Sequence, residues 1–119
     1  MLNLDTNIIL HAAAGTLNFR ERELLAENSW SISSIVLWEI AKLSQKERIE
    51  MHLDHPAVVQ ALDEVHVYPI TASIAQASVN LDFDADPADE LIAATSILHH
   101  VPLLTRDSAI NRSKLVPLA

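Results

Sequence analysis

The chain has 119 residues, room for one hydrophobic core and not two, so a single domain over residues 1–119 is expected. Half the residues are hydrophobic and 20% are charged, a globular composition, and the absence of cysteine excludes disulfides, thiolate catalysis and zinc–thiolate sites. Eight Lys plus Arg against 16 Asp plus Glu give a net charge of −8, which argues against a surface that tracks a nucleic-acid backbone unaided. That leaves two options: a solvated acidic surface, or carboxylates gathered around divalent cations that bridge to phosphates.

The opening MLNLDTNIIL lacks the basic start and small-residue cleavage site of a signal peptide. No apolar run reaches the roughly 18 residues that a membrane span needs, so a soluble, cytoplasmic protein is expected. Leu2–Leu4 reads as a short strand ending at Asp5, and Ile8–Ala14 as an apolar helix closed by Gly15. Gly15 is the only glycine, which rules out glycine-rich phosphate loops. Arg20–Glu27 has the helical pair Leu24 and Leu25 on a charged background. Ser31–Ser33 is a strand, with Ser33 or Ser34 as N-cap of a helix to about Gln45. Pro56 opens a helix through Glu64, Val65–Pro69 alternates as a strand, and Thr71 caps a helix to about Leu81. Asp86 followed by Pro87 starts a helix to about His100. Leu103 and Leu104 form a strand ending near Asp107, and Leu115–Leu118 is a last strand candidate. Strands alternating with helices predict an α/β domain with a mainly parallel sheet and helices on both faces. Ligands of such sheets bind beyond the carboxyl ends of the strands, where Asp5 and Asp107 fall.

Four carboxylates occupy unusual positions. Asp5 ends an apolar strand, where a helix cap and a metal ligand are compatible roles. Glu39 shares a helical stripe with Ile35, Val36 and Leu43, so it must pair with a cation, stay protonated or bind metal. Asp89 lies in the first turn of the Pro87 helix among Asp82, Asp84, Asp86 and Glu90, and nothing local singles it out. Asp107 follows a strand and precedes Ser108, a cap position. Together they put four acids on one side of an α/β sheet. Like charges in one place need neutralising cations, and Mg²⁺, a hard ion with oxygen ligands, suits them. The six histidines form no HExxH pattern and read as surface or helix-end residues. Trp38 reads as a core or partner-facing aromatic. Lys42, Lys46, Arg48, Arg106, Arg112 and Lys114 are the cations available to RNA phosphates, or else scattered solubilising charge.

Four ordered blocks, LNLDTNIIL, SSIVLWEIAKL, DPADELIAATSILHHVPLLT and TRD, give the chain a resemblance to PIN-domain nucleases, and among them to the VapC-like toxins of toxin–antitoxin pairs. The resemblance implies a PIN-like three-layer α/β/α domain and an acidic site of Asp5, Glu39, Asp89 and Asp107, catalytic and metal-binding, with Thr6, Asn7 and Thr105 as polar neighbours. It further implies Mg²⁺ or Mn²⁺ as cofactor, RNA hydrolysis by a metal-activated water, a cognate antitoxin and a homodimer. The family usually has Arg after the third acid. Here Glu90 stands in its place, removing a cation from the site. Rival readings are an inactive PIN-like interaction module and a receiver-type phosphoacceptor, although LNLDTN offers only one of the adjacent acids a receiver needs. An aspartyl phosphatase would need a second Asp where Asn7 stands.

Overall fold

A computed structural model describes residues 1–119. In chain order the elements are β1 (Leu2–Leu4), α1 (Thr6–Ala14), α2 (Phe19–Glu27), β2 (Trp30–Ser33), α3 (Ser34–Gln45), α4 (Pro56–Leu62), β3 (His66–Tyr68), α5 (Ala72–Ala77), α6 (Pro87–His99), β4 (Leu103–Leu104) and α7 (Ser108–Asn111). The four strands form one parallel sheet in the order β3-β2-β1-β4, each connected to the next through helices. This is the expected α/β architecture, a parallel sheet flanked by helices. No helix is long and apolar enough to cross a membrane.

β1 is interior to the sheet, and all three of its residues are buried. Its Leu2 and Leu4 join Ile32, Val36, Ile40, Ile92, Leu103, Leu104 and Ile110 in one apolar core drawn from strands and helices alike. Side chains alternate along a strand, so Asn3 and Asp5 share the face opposite Leu2 and Leu4. Asn3 is fully buried there and donates to the Ile92 carbonyl and to Ser96 Oγ (3.3 and 2.9 Å) on α6. Asp89 lies one turn before Ile92 on α6, so this contact draws the α6 N-terminus towards the end of β1.

Caps set most helix ends. Gly15 closes α1 at φ 72°, and Ser33 accepts from the Ile35 amide at the start of α3. Asn18 and Glu21 form a reciprocal capping box at the start of α2. Pro56 and Pro87 occupy first-turn positions, where a missing N–H costs nothing. The predicted elements form with three differences. The Thr71-capped helix stops at Ala77, because Ser78 Oγ and Asn80 Nδ2 bond to the Ala75 and Gln76 carbonyls and end the ladder. The Leu115–Leu118 segment is not a strand but a single parallel bridge from Leu118 to Leu103. Pro117 has no N–H to donate, and the Leu115 and Val116 amides donate to Ser113 Oγ instead of to a neighbouring strand. Finally, Asp107, at the cap position expected of it, opens a one-turn helix, α7, that is not among the predicted elements.

Candidate active site

β2 and β3 lie on one side of β1 and β4 on the other, so the chain reverses its direction across the sheet at the β1–β4 boundary. Splayed loops at such a switch point open a crevice beyond the strand ends. Asp5 follows β1 directly, and Thr105 to Asp107 follow β4.

Asp5 is buried and sits at the N-cap position of α1, yet makes no side-chain cap bond. Its Oδ2 instead accepts from Thr105 Oγ1 at 2.6 Å. The Thr105 hydroxyl also accepts the Asp107 amide (3.0 Å), and Asp107 Oδ1 caps α7 through the Ile110 amide (2.9 Å). Glu39 on α3 is half-buried, with Oε1 accepting from Thr6 Oγ1 at 2.5 Å. No Arg or Lys pairs with it, so of its three options, pairing with a cation is not taken; the only ion pair of the chain joins Arg106 to Glu21. Asp89, in the first turn of α6, is partly buried and accepts no side-chain hydrogen bond. Thr6 and Thr105 thus each orient one acid. Asn7 is exposed and makes no side-chain hydrogen bond to any of the four.

The electrostatics show that these acids share one space. Burial raises the pKa of Asp5 above 3.8, opposed by the Thr105 bond and reinforced by the charge of Asp107. Glu39 is likewise raised by burial, against its Thr6 bond, with Asp5 and Asp86 adding repulsion. Asp89 is pushed up to about 7, by burial first and then by the charges of Asp5, Glu39, Asp107 and Asp86. Asp86 is therefore a fifth carboxylate at the site. Asp86 is expected from the sequence only as a helix start, and it occupies the N-cap position of α6 without making a side-chain cap bond.

No three acidic or histidine side chains are drawn tightly enough to form a finished metal cage. The donor chemistry nevertheless fits a hard divalent cation: oxygen-only ligands, mutual repulsion, no neutralising Arg or Lys, and oxygens of Glu39, Asp89 and Asp107 left free by the protein. The histidines stand apart from it. His55 caps α4, His99 and His100 end α6, and His52 bonds to Ser44. Trp38 is 55% exposed, which removes it from the core, and Lys42 Nζ lies 6.0 Å from its ring centre. Arg106, one of the cations available to RNA phosphates by sequence, is instead held by Glu21; the two are 85 residues apart and no local pattern links them.

Residues 3–114 match the family model of the PIN domain. The chain belongs to the PIN domain family. This PIN domain is 39% identical over 80 residues to ribonuclease VapC22 of Mycobacterium tuberculosis, a match covering 65% of this chain and 62% of that protein, so less than two thirds of the relative is spanned. Among solved structures, a toxin–antitoxin complex from Klebsiella pneumoniae superimposes with a TM-score of 0.73 at 24% identity, covering 94% of this chain and 91% of the other. VapBC2 from Rickettsia felis, bound to a promoter DNA fragment, gives 0.73 at 23% identity over 100% and 98% of the two chains. FitAcB from Neisseria gonorrhoeae gives 0.72 at 20% identity over 99% and 96%. At these identities the structures establish the fold, which is not that of a receiver.

Proposed function

We propose that this PIN domain is a metal-dependent endoribonuclease, the toxin of a toxin–antitoxin pair, with Asp5, Glu39, Asp89 and Asp107 holding Mg²⁺ or Mn²⁺. The observation that carries the reading is that carboxylates from the end of β1, from α3, from α6 and from the β4–α7 loop bear on one another electrostatically, those of Asp5, Glu39 and Asp89 being raised in proton affinity, with no basic partner among them. A divalent ion held by these residues would lower the pKa of an attacking water and supply positive charge to the developing oxyanion. The protein's part is to hold the ligands. Thr105 fixes the Asp5 carboxylate, Thr6 fixes that of Glu39, and the α7 cap fixes that of Asp107. Asp89, with no side-chain hydrogen bond, is free to adjust to the cation. The named ribonuclease relative supports RNA as substrate, and the toxin–antitoxin structures support an antitoxin as partner; a second copy of the chain and a cytoplasmic location belong to the proposal on the family resemblance alone.

The test is cleavage of labelled structured RNAs, tRNA included, with Mg²⁺ or Mn²⁺, with EDTA, and by an Asp5→Asn variant. Metal-dependent cutting lost in both EDTA and the variant is expected, with kcat reduced at least about a hundredfold in the variant. Persistence of cutting in EDTA would defeat the acidic-site mechanism. Absence of cutting by folded, antitoxin-free protein across the panel would favour an interaction module.

A further inference from the structure

Arg106 lies between two residues of the site. Thr105 before it holds Asp5, and Asp107 after it is one of the four acids, yet its own side chain turns away to α2. There Arg106 Nε and Nη2 donate to Glu21 Oε2 and Oε1 at 2.8 and 2.7 Å, a two-pronged contact that fixes the guanidinium in position and orientation. Nη2 also donates to the Thr16 carbonyl and Nη1 lies against His11 Nε2, both at 3.1 Å. Glu21 is an unusual anchor for a surface helix. It is only 4% exposed, and its Oε1 also accepts the Asn18 amide in the α2 capping box, so the carboxylate is held from its own helix before it meets Arg106.

The three-residue loop after β4 is thus gripped from two sides, by Asp5 through Thr105 and by Glu21 through Arg106. We propose that Glu21 is a positioning residue: acting through Arg106, it sets the β4–α7 loop so that Thr105 and Asp107 meet Asp5 in the arrangement that binds the cation and cleaves RNA. The proposal rests on the nuclease reading above. Lysine cannot replace Arg106 in this role, because an ammonium offers a point charge and no fork.

Glu21→Gln is the informative change. Glutamine is accepted in a capping box, so the start of α2 survives, but an amide NH₂ then faces the guanidinium. Cleavage kinetics and Mn²⁺ affinity by calorimetry are measured for the wild type, Glu21→Gln, Arg106→Lys, Arg106→Gln and the Glu21→Gln/Arg106→Gln double variant, with exposed Glu23→Gln as control. The single variants are expected to lose about tenfold in kcat and in Mn²⁺ affinity, with KM nearly unchanged, as for groups that orient metal ligands from behind. The double variant should be no worse than Arg106→Gln alone, since both act through one contact. A merely structural ion pair would lower the melting temperature and leave Mn²⁺ affinity, read well below it, untouched; that result overturns the proposal. So does a multiplicative double variant. A wild type that neither binds Mn²⁺ nor cuts RNA brings down the nuclease reading and this one together.

Discussion

Of the four acids, Asp89 has no hydrogen-bond donor to stabilise its charge, and burial with the fields of Asp5, Glu39, Asp107 and Asp86 pushes its pKa to about 7. An aspartate in the unfolded chain titrates near 3.8. Between these values the folded protein binds more protons than the unfolded one, so metal-free stability falls as pH rises from about 4 to 7. Asp89→Asn removes the charge and should flatten that slope. Water still reaches this side chain and screens the repulsion, so a gain of about 1 kcal/mol above pH 7 is expected, not the several that the shift alone would give. That corresponds to a rise of roughly 4 °C in melting temperature for a domain of this size. Thermal melts in EDTA between pH 5 and 8 read it directly. Parallel profiles for the two proteins would mean that Asp89 does not carry the strain.

Helix α1 shows how an element end is fixed by one residue. Gly15 stands at φ 72°, and a Cβ built there meets nothing within 4 Å. Gly15→Ala should therefore cost only the left-handed backbone penalty, about 1 kcal/mol, and Gly15→Asn clearly less, both measured by urea unfolding. A larger loss for alanine would point to a contact this geometry does not contain. Signals of this local kind explain what could be read in advance. Gly15, Ser33, Pro56, Thr71 and the Asp86–Pro87 pair mark helix ends through their own backbone preferences, and the strands between them follow from short apolar runs. The differences arose where side chains compete for backbone groups: Ser78 and Asn80 shorten α5, and Ser113 with Pro117 reduces the last strand to a bridge. Asp5 and Asp107 could be placed at a sheet edge from the strand pattern. Glu39 stood out through its apolar stripe. Asp89 could be distinguished from the acids around it only by family resemblance, because its place depends on Asn3 docking β1 against α6. The grip of Glu21 on Arg106, across 85 residues, leaves no trace in local pattern.

Charge and topology meet at the scale of the whole molecule. A net charge of −8 spread over the surface would be relieved equally by any salt, because ions within a Debye length screen exposed charges without regard to identity. Carboxylates gathered at one switch point respond differently: a divalent ion that binds the folded chain and not the unfolded one stabilises it by mass action. Mg²⁺ or Mn²⁺ should therefore raise the melting temperature with the logarithm of its concentration above the dissociation constant, reaching about 2.7 kcal/mol at one hundred times that constant. NaCl at matched ionic strength should give only a small change. Asp5→Asn and Glu39→Gln each remove one of the proposed ligands and should shift the onset of Mn²⁺ stabilisation to higher concentration while leaving the NaCl response as it is. Equal stabilisation by NaCl and Mg²⁺ would assign the effect to dispersed surface charge. Stabilisation by Mn²⁺ that survives both substitutions would place the cation elsewhere on the acidic surface. The separation of the two salts is decisive because it tests the convergence of the acids without relying on any RNA being the right substrate.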